Sequence, residues 1–337
     1  MPAFSTKGSC NMSRWVIIGG AGFTGSNLTN KLIEQLNINP SNILICDLEK
    51  SLDRIKLPVN LYPCNISQNI LPKFKKNDIV IHLAARQYHN KVPWKNRLDW
   101  FSEVNFLGTK NILNSIINTD IKGLVYFSSD MVYGIPNSTP VKIDHPTNPI
   151  GPYGESKLAA ENILISAKNN GIPITILRPR MIMGEGRLGV IEKLFKAISL
   201  DRPIPLIGKG QNYYQMVSVD DCSNAIILSV ENNFPSQILN LGSNPEFKVK
   251  DLLKNLIKEI SSKSFLIPLP TKLSKFILNF LDLINLTVLY PEQFTIADKN
   301  YIVDISSAKN LIGWEPKHTD LEMMIAAYRN WNDKSVI

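Results

Sequence analysis

Tyr153-Gly154-Glu155-Ser156-Lys157 sets a phenol and an ammonium four positions apart, at the head of a helical pattern that continues through Leu158, Ala159 and Ile163. Residues four apart share a helix face, so Lys157 lies one turn from Tyr153. A tyrosine must lose about 3 pKa units, worth about 4 kcal/mol, to act as a base near neutral pH, and a neighbouring cation pushes it that way. Ser129 follows the apolar run Gly123-Leu124-Val125-Tyr126-Phe127-Ser128, a predicted strand. Open α/β sheets bind ligands at the carboxyl ends of their strands, so this hydroxyl and the phenol can converge on one substrate oxygen. Alone, Ser129 reads equally well as a strand-terminal turn residue, and the Tyr-Lys spacing is one that recurs by chance.

A second constellation points to a cofactor. Gly19-x-x-Gly22-x-x-Gly25, with Phe23 and Thr24 inside it, follows the apolar run Trp15-Val16-Ile17-Ile18 and opens a helical pattern, Asn27 to Leu36. Strand, glycine turn and helix in that order form the context of a dinucleotide fingerprint, because a pyrophosphate must approach backbone N–H groups that any Cβ would hold it away from. Asp47 ends the next strand candidate, Ile43-Leu44-Ile45-Cys46-Asp47. A carboxylate there accepts both ribose hydroxyls of NAD and repels the 2′-phosphate of NADP, so NAD is the expected cofactor. Lys50 nearby is the one feature against that choice.

These residues need strands and helices in alternation to hold them. Asp78 to Leu83, Gly123 to Ser128 and Ile172 to Leu177 are further buried-strand candidates separated by helix-length segments, which predicts an α/β fold with a Rossmann-type, doubly wound parallel sheet. After Pro179 the rhythm is broken by Pro and Gly, with helix candidates at Gly189 to Leu200 and Val219 to Glu231 and a short strand at Ile238 to Leu241. The expected organisation is a disordered tail (1–13), an NAD-binding domain (14–178, rejoined by 215–242) and a smaller, mostly helical substrate-binding domain (179–214 and 243–331). A chain of 337 residues with 44% hydrophobic and 20% charged residues is long enough for a large core, which excludes disordered and disulfide-scaffold classes. Its formal net charge of +8 is spread along the sequence, with no basic arm of the kind that binds nucleic acid. Cys10, Cys46, Cys64 and Cys222 show no paired spacing, and His82, His89, His145 and His318 none suited to a metal. With no apolar signal region in the tail and no uncharged apolar stretch of spanning length, the expected location is cytoplasmic.

Taken together, the motifs resemble the extended short-chain dehydrogenase/reductases, the NAD-dependent epimerase/dehydratase group. The resemblance extends from the Gly19 turn through His82-Leu83-Ala84-Ala85, Asn105-Phe106-Leu107-Gly108-Thr109, Ser128-Ser129-Asp130-Met131-Val132-Tyr133-Gly134 and Tyr153-x-x-x-Lys157 to Asp304 and Leu311-x-Gly313-Trp314-x-Pro316. It implies Tyr153 as the proton-transferring base, Lys157 as its tuner and nicotinamide-ribose ligand, and Ser129 as the group bonded to the reacting oxygen. It implies cofactor contacts from Gly19, Gly22, Phe23, Thr24, Gly25 and Asp47, from Asn65, Ile66, Leu83, Ala84 and Ala85, and from Asn105, Tyr153, Lys157 and Pro179. Asn65 stands where the family usually has Asp; its amide oxygen still accepts a hydrogen bond. The resemblance also implies a homodimer through the helix bearing Tyr153 and its neighbour.

Family members oxidise a sugar hydroxyl first and then diverge. Those that remove water carry Asp and then Glu after the serine or threonine; here these positions are Asp130 and Met131, and a thioether cannot take a proton from carbon. The reading is therefore C4 epimerisation of a sugar on a diphosphate, usually a nucleotide sugar, through a transient 4-keto intermediate. A sugar reductase or dehydrogenase is the alternative, and a non-catalytic NAD-binding sensor is disfavoured because Tyr153, Lys157 and Ser129 are all present. The substrate set expected beside Ser129 is Asp130, Met131, Arg180 and Met181. The usual diphosphate clamp is incomplete: Arg178-Pro179 is followed by Arg180-Met181, and Gln211-Asn212-Tyr213-Tyr214-Gln215-Met216 contains no arginine, leaving Arg180, Arg187 or Lys209 as replacements. Some epimerases with a similar Asn-Tyr act on lipid-linked N-acetylhexosamines. From Ser264 to Tyr290, the residues Leu273, Phe276, Ile277, Phe280, Leu281 and Ile284 fall on one helical face. Core packing is its ordinary meaning, and peripheral membrane contact beside a polyprenyl-diphosphate-linked sugar is the sharper one.

Overall fold

A computed structural model describes residues 13–88, 92–186, 189 and 191–335, so residues 1–12 of the tail expected to be disordered, His89 and Arg187 lie outside the described residues, while Ser13, the last residue of that tail, is described and buried. In chain order the first half runs β1 (Trp15–Ile18), α1 (Phe23–Glu34), β2 (Ile43–Asp47), α2 (Glu49–Leu52), β3 (Asn60–Pro63), β4 (Ile79–His82), α3 (Arg97–Ser102), a π-helical segment (Glu103–Gly108), α4 (Thr109–Ile116), β5 (Gly123–Phe127) and α5 (Pro152–Asn169). The second half runs β6 (Ile174–Pro179), β7 (Met181–Met183), α6 (Ile191–Ser199), β8 (Ile204–Ile207), β9 (Met216–Ser218), α7 (Val219–Glu231), β10 (Ile238–Leu241), α8 (Val249–Glu259), β11 (Leu266–Leu269), α9 (Thr271–Leu283), α10 (Pro291–Ile296), α11 (Ser306–Ile312) and α12 (Asp320–Ser335).

Seven strands form one parallel sheet in the order β10-β6-β5-β4-β1-β2-β3. Because strand side chains alternate, Trp15 and Ile17 enter one apolar layer with Leu28 and Leu32 of α1, Ile226 of α7 and Ile312 of α11, while Val16 and Ile18 enter the opposite layer with Ile112 and Ile116 of α4 and Leu164 of α5. Both faces are covered, which is why the strands read as unbroken apolar runs. The register aligns Ile18 with Cys46 on one side and His82 on the other, so Gly19, Asp47 and Leu83 emerge together at the carboxyl edge where strand order reverses.

Two features depart from the sequence reading. Strand β3 carried no hydrophobic signal because three of its four residues are exposed at the sheet edge. The C-terminal region adds two two-stranded parallel pairs, β7 with β9 and β8 with β11, around an apolar cluster that includes Phe195, Ile198, Leu256 and Met324. Among the described residues no helix is long and apolar enough to cross a membrane.

Candidate active site

The glycine turn lies at the head of a cleft of about 1210 Å3. Gly19 has a φ of +83°, and a Cβ there would sit 2.5 Å from the Ala84 nitrogen; at Gly25 a Cβ would sit 2.5 Å from the Gly20 Cα. Only glycine lets the turn fold this tightly under the start of α1. That helix begins at Gly22 with no side-chain cap and no acidic residue in its first turn, leaving its N–H groups and positive dipole end for an anion. Asp47 sits beside the turn, accepting hydrogen bonds from the N–H of Ala21 (3.0 Å) and of Leu48 (2.8 Å), and burial pushes its carboxyl above the ordinary value against the pull of those bonds. Phe23, Thr24, Asn65, Ile66, Leu83, Ala84 and Ala85 line the same cleft, with Gly184 and Ser218 among the residues of the facing wall. A phosphate cradle, a carboxylate one strand over and a cleft of this volume fit a dinucleotide.

Phe127 is part of the cleft lining, and its carbonyl oxygen accepts a hydrogen bond from Lys157 Nζ at 2.6 Å. Lys157 is fully buried, its ammonium 4.6 Å from the Tyr126 ring centre, and burial pushes its pKa down to about 7 while Glu161 pulls it back up. Tyr153 lies one turn earlier on α5 and is also buried. Ser129 caps the following 3-10 turn, its Oγ accepting from Met131 N–H at 3.2 Å. Gly154 brings that turn against α5: a Cβ on it would lie 2.6 Å from the Met131 carbonyl oxygen. The Ser129 turn thus packs on the first turn of α5, and Lys157 reaches from that helix to Phe127 in the cleft wall.

Asn105, Pro179, Tyr153 and Lys157, expected at the cofactor, are not in the cleft lining, and neither is Ser129. Asn105 Oδ1 accepts from Arg86 N–H (2.8 Å) and its Nδ2 donates to Ser156 Oγ (2.9 Å), so it ties the loop after β4 to α5 from behind the wall. Buried His82 bonds Thr109 Oγ1 at 2.9 Å, and burial lowers its pKa to about 3, which makes it a neutral core residue. The substrate set is dispersed. Asp130 and Arg180 form a fully buried ion pair, with the guanidinium packed over the rings of Tyr301 (4.0 Å) and Tyr214 (4.7 Å). Met131 packs near Val132 and Tyr133, and Met181 against the C-terminal cluster. Lys209 borders a separate hollow with Gly208, Asn212, Thr271 and Asp298.

Sequence reasoning missed Glu292. It enters from α10, and its Oε1 accepts the N–H of Tyr153 at 2.9 Å, capping α5 from 139 positions away. Burial raises its pKa to about 7, against the lowering pull of Tyr88 and of the Tyr153 and Gly154 N–H groups. Tyr88 stacks on Tyr290 (4.3 Å between ring centres) and lies 5.8 Å from the Tyr153 ring, while Phe101 meets Tyr153 edge-on at 5.6 Å. These rings build an apolar collar around the phenol. The local signs of the helix that carries Glu292 were a proline at its start and Gln293 three residues after its cap.

The sequence profile of the NAD dependent epimerase/dehydratase family matches residues 15–242. An uncharacterised protein of Sinorhizobium fredii is 31% identical over 327 residues, covering 94% of this chain and 78% of that one. A putative UDP-glucose 4-epimerase of Methanocaldococcus jannaschii is 32% identical over 258 residues, covering 73% and 82%. Among solved structures, UDP-glucose 4-epimerase of Thermotoga maritima superposes with a TM-score of 0.72 at 23% identity, covering 96% of this chain and 99% of that one, a likeness of fold.

Proposed function

The chain belongs to the NAD-dependent epimerase/dehydratase family, and from that premise we propose that it inverts C4 of a sugar carried on a diphosphate. One observation supports the choice of epimerisation over dehydration: Asp130 is held in a buried pair with Arg180, and its neighbour Met131 carries no proton-accepting group. Elimination of water needs an acid and a base at those two positions, and neither is free.

NAD held in the cleft would supply the acceptor, and then the donor, of the C4 hydride. Tyr153, as phenolate, takes the O4–H proton while that hydride leaves, so the sugar becomes a 4-ketone. Ser129 donates a hydrogen bond to O4 in both states. Lys157, whose pKa of about 7 rises again beside an anionic oxygen, holds the phenolate charge. The ketone turns over within the site, so that its other face would be offered for hydride return, and Tyr153 gives the proton back to O4. No external electron is consumed, and the product differs from the substrate only at C4.

A lipid diphosphate is the second reading for the carrier. It is favoured by the exposed apolar stripe of α9, since the diphosphate itself is common to both carriers. The test is NMR of UDP-N-acetylglucosamine incubated with the protein and catalytic NAD. The C4 epimer should accumulate without net NADH, and Tyr153→Phe should stop turnover while NAD stays bound. Stoichiometric NADH would instead mark a dehydrogenase, and a deoxy-ketosugar a dehydratase.

A further inference from the structure

Helix α9 is inside out. Its protein-facing side carries the polar residues: Ser274 and Asp282 are buried, Asp282 holds Arg97 through two bonds of 2.7 and 2.8 Å, and Lys275 pairs with Asp298 at 2.5 Å. Its outward side carries Leu273, Phe276, Ile277, Phe280, Leu283 and Ile284, spaced three and four apart and all exposed, Phe276 by 71% and Leu283 by 67%. Of the stripe read from the sequence only Leu281 is half-buried, so the core-packing meaning is overturned for the rest of it, and Leu283 joins the exposed face. Further exposed apolar residues flank the helix in the chain: Phe265 before β11, Ile267 and Leu269 on it, and Leu286 and Val288 after α9. Arg97 anchors the exposed Trp94 and Leu98 to the same region through Asp282. Isolated exposed apolar residues are ordinary, but a stripe of them along one helix face marks a surface that something covers.

The charges identify what covers it. Asp282 and Asp298, the acidic groups under the helix, are neutralised by Arg97 and Lys275. Lys272 flanks the stripe as an exposed residue, Lys193 reaches the Val288 carbonyl oxygen (3.1 Å), and Lys95 stands over the Trp94 ring (5.1 Å). An apolar centre of Phe, Leu and Trp with lysines at its edge complements anionic headgroups above acyl chains. A second copy pressed on the same face would bring like-charged lysines together. The face is also joined to the site, because the chain leaves α9 for Tyr290, which stacks on Tyr88 beside Tyr153, and Arg97 lies over the Tyr290 ring (5.3 Å).

We propose that the outward face of α9, with β11 and the Trp94 loop, docks this protein on the surface of an anionic lipid bilayer. The catalytic mouth then sits at headgroup level, where a sugar on a lipid diphosphate is presented; that consequence for the substrate rests on the epimerase reading, whereas docking does not. The test is co-sedimentation of the full chain with vesicles of phosphatidylcholine and phosphatidylglycerol, without sugar. The protein should pellet with them, less so with phosphatidylcholine alone, and Phe276→Glu with Phe280→Glu should weaken partitioning roughly 100-fold or more, the loss of two buried aromatic side chains. Tyr153→Phe should pellet like the unaltered protein even if it turns over nothing, which separates failure of docking from failure of the catalytic reading. Brominated lipid should quench tryptophan fluorescence, and Trp94→Phe should remove part of that quenching, a readout that does not depend on the glutamate variants folding. Absence of pelleting with both vesicle types would overturn the proposal. So would a larger oligomer that the double variant splits without any vesicle binding, because the face would then be covered by a second copy.

Discussion

Replacing Glu292 by Gln should change how stability depends on pH, by an amount the structure allows to be worked out. Glu292 is buried, and its pKa stands near 7 against an ordinary 4.5. The folded state therefore holds this proton over a range in which the unfolded chain has released it, and stability contributed by the protonated group is complete below about 4.5 and lost as pH rises through about 7. A shift of about 2.5 units at about 1.4 kcal/mol each amounts to roughly 3 kcal/mol. Glutamine keeps an acceptor oxygen for the Tyr153 N–H but has nothing to titrate. Urea unfolding of the two proteins without cofactor should give similar stabilities near pH 4.5, with the variant gaining on the unaltered protein by up to about 3 kcal/mol near pH 8. Other groups with displaced pKa values, Asp320 at about 6 and Lys157 at about 7, are common to both proteins and cancel in the difference. A difference that is flat across this range would refute the argument that Glu292 is a desolvated acid at the head of the catalytic helix.

Gly25→Ala should abolish NAD binding in calorimetry, because the added methyl meets Gly20 Cα at 2.5 Å and Gly19 O at 2.7 Å, all backbone that cannot move without opening the phosphate turn. Retained micromolar binding would place the cofactor elsewhere. Asp130→Ala should destabilise the fold by about 3–5 kcal/mol, since it leaves the Arg180 guanidinium buried without its counter-charge. Arg180→Met in the same background should recover much of that loss, measured by thermal unfolding. An exposed, substrate-facing Asp130 would instead show unchanged stability and altered KM.

The parts of the site legible in the sequence are those whose partners are close in the chain or fixed by strand ends. The glycine turn, Asp47, Ser129 and the Tyr153–Lys157 pair each announce themselves by spacing, because a parallel sheet delivers successive strand ends to one edge. Asp130 and Arg180 fail for the opposite reason. Their types suggest ligand binding, and only packing shows that Asp130 pairs with one nitrogen of Arg180, while the guanidinium's Nε and Nη2 are buried without a hydrogen-bond partner. Glu292 and Arg97 are further still from a local signal: one caps Tyr153 across 139 positions and the other holds Asp282 across 185. Both contacts join the C-terminal region to the catalytic face of the sheet, one at the head of the tyrosine helix and one beneath the apolar stripe of α9. The hydrophobic periodicity of α9 was readable, but not its direction, because periodicity reports that a helix has two faces and only the polar anchors of the buried one, Ser274, Lys275 and Asp282, decide which face is turned outward. The same ion pair that fixes the orientation of α9 also brings Arg97 over Tyr290, so whatever covers the stripe bears on the aromatic collar around Tyr153.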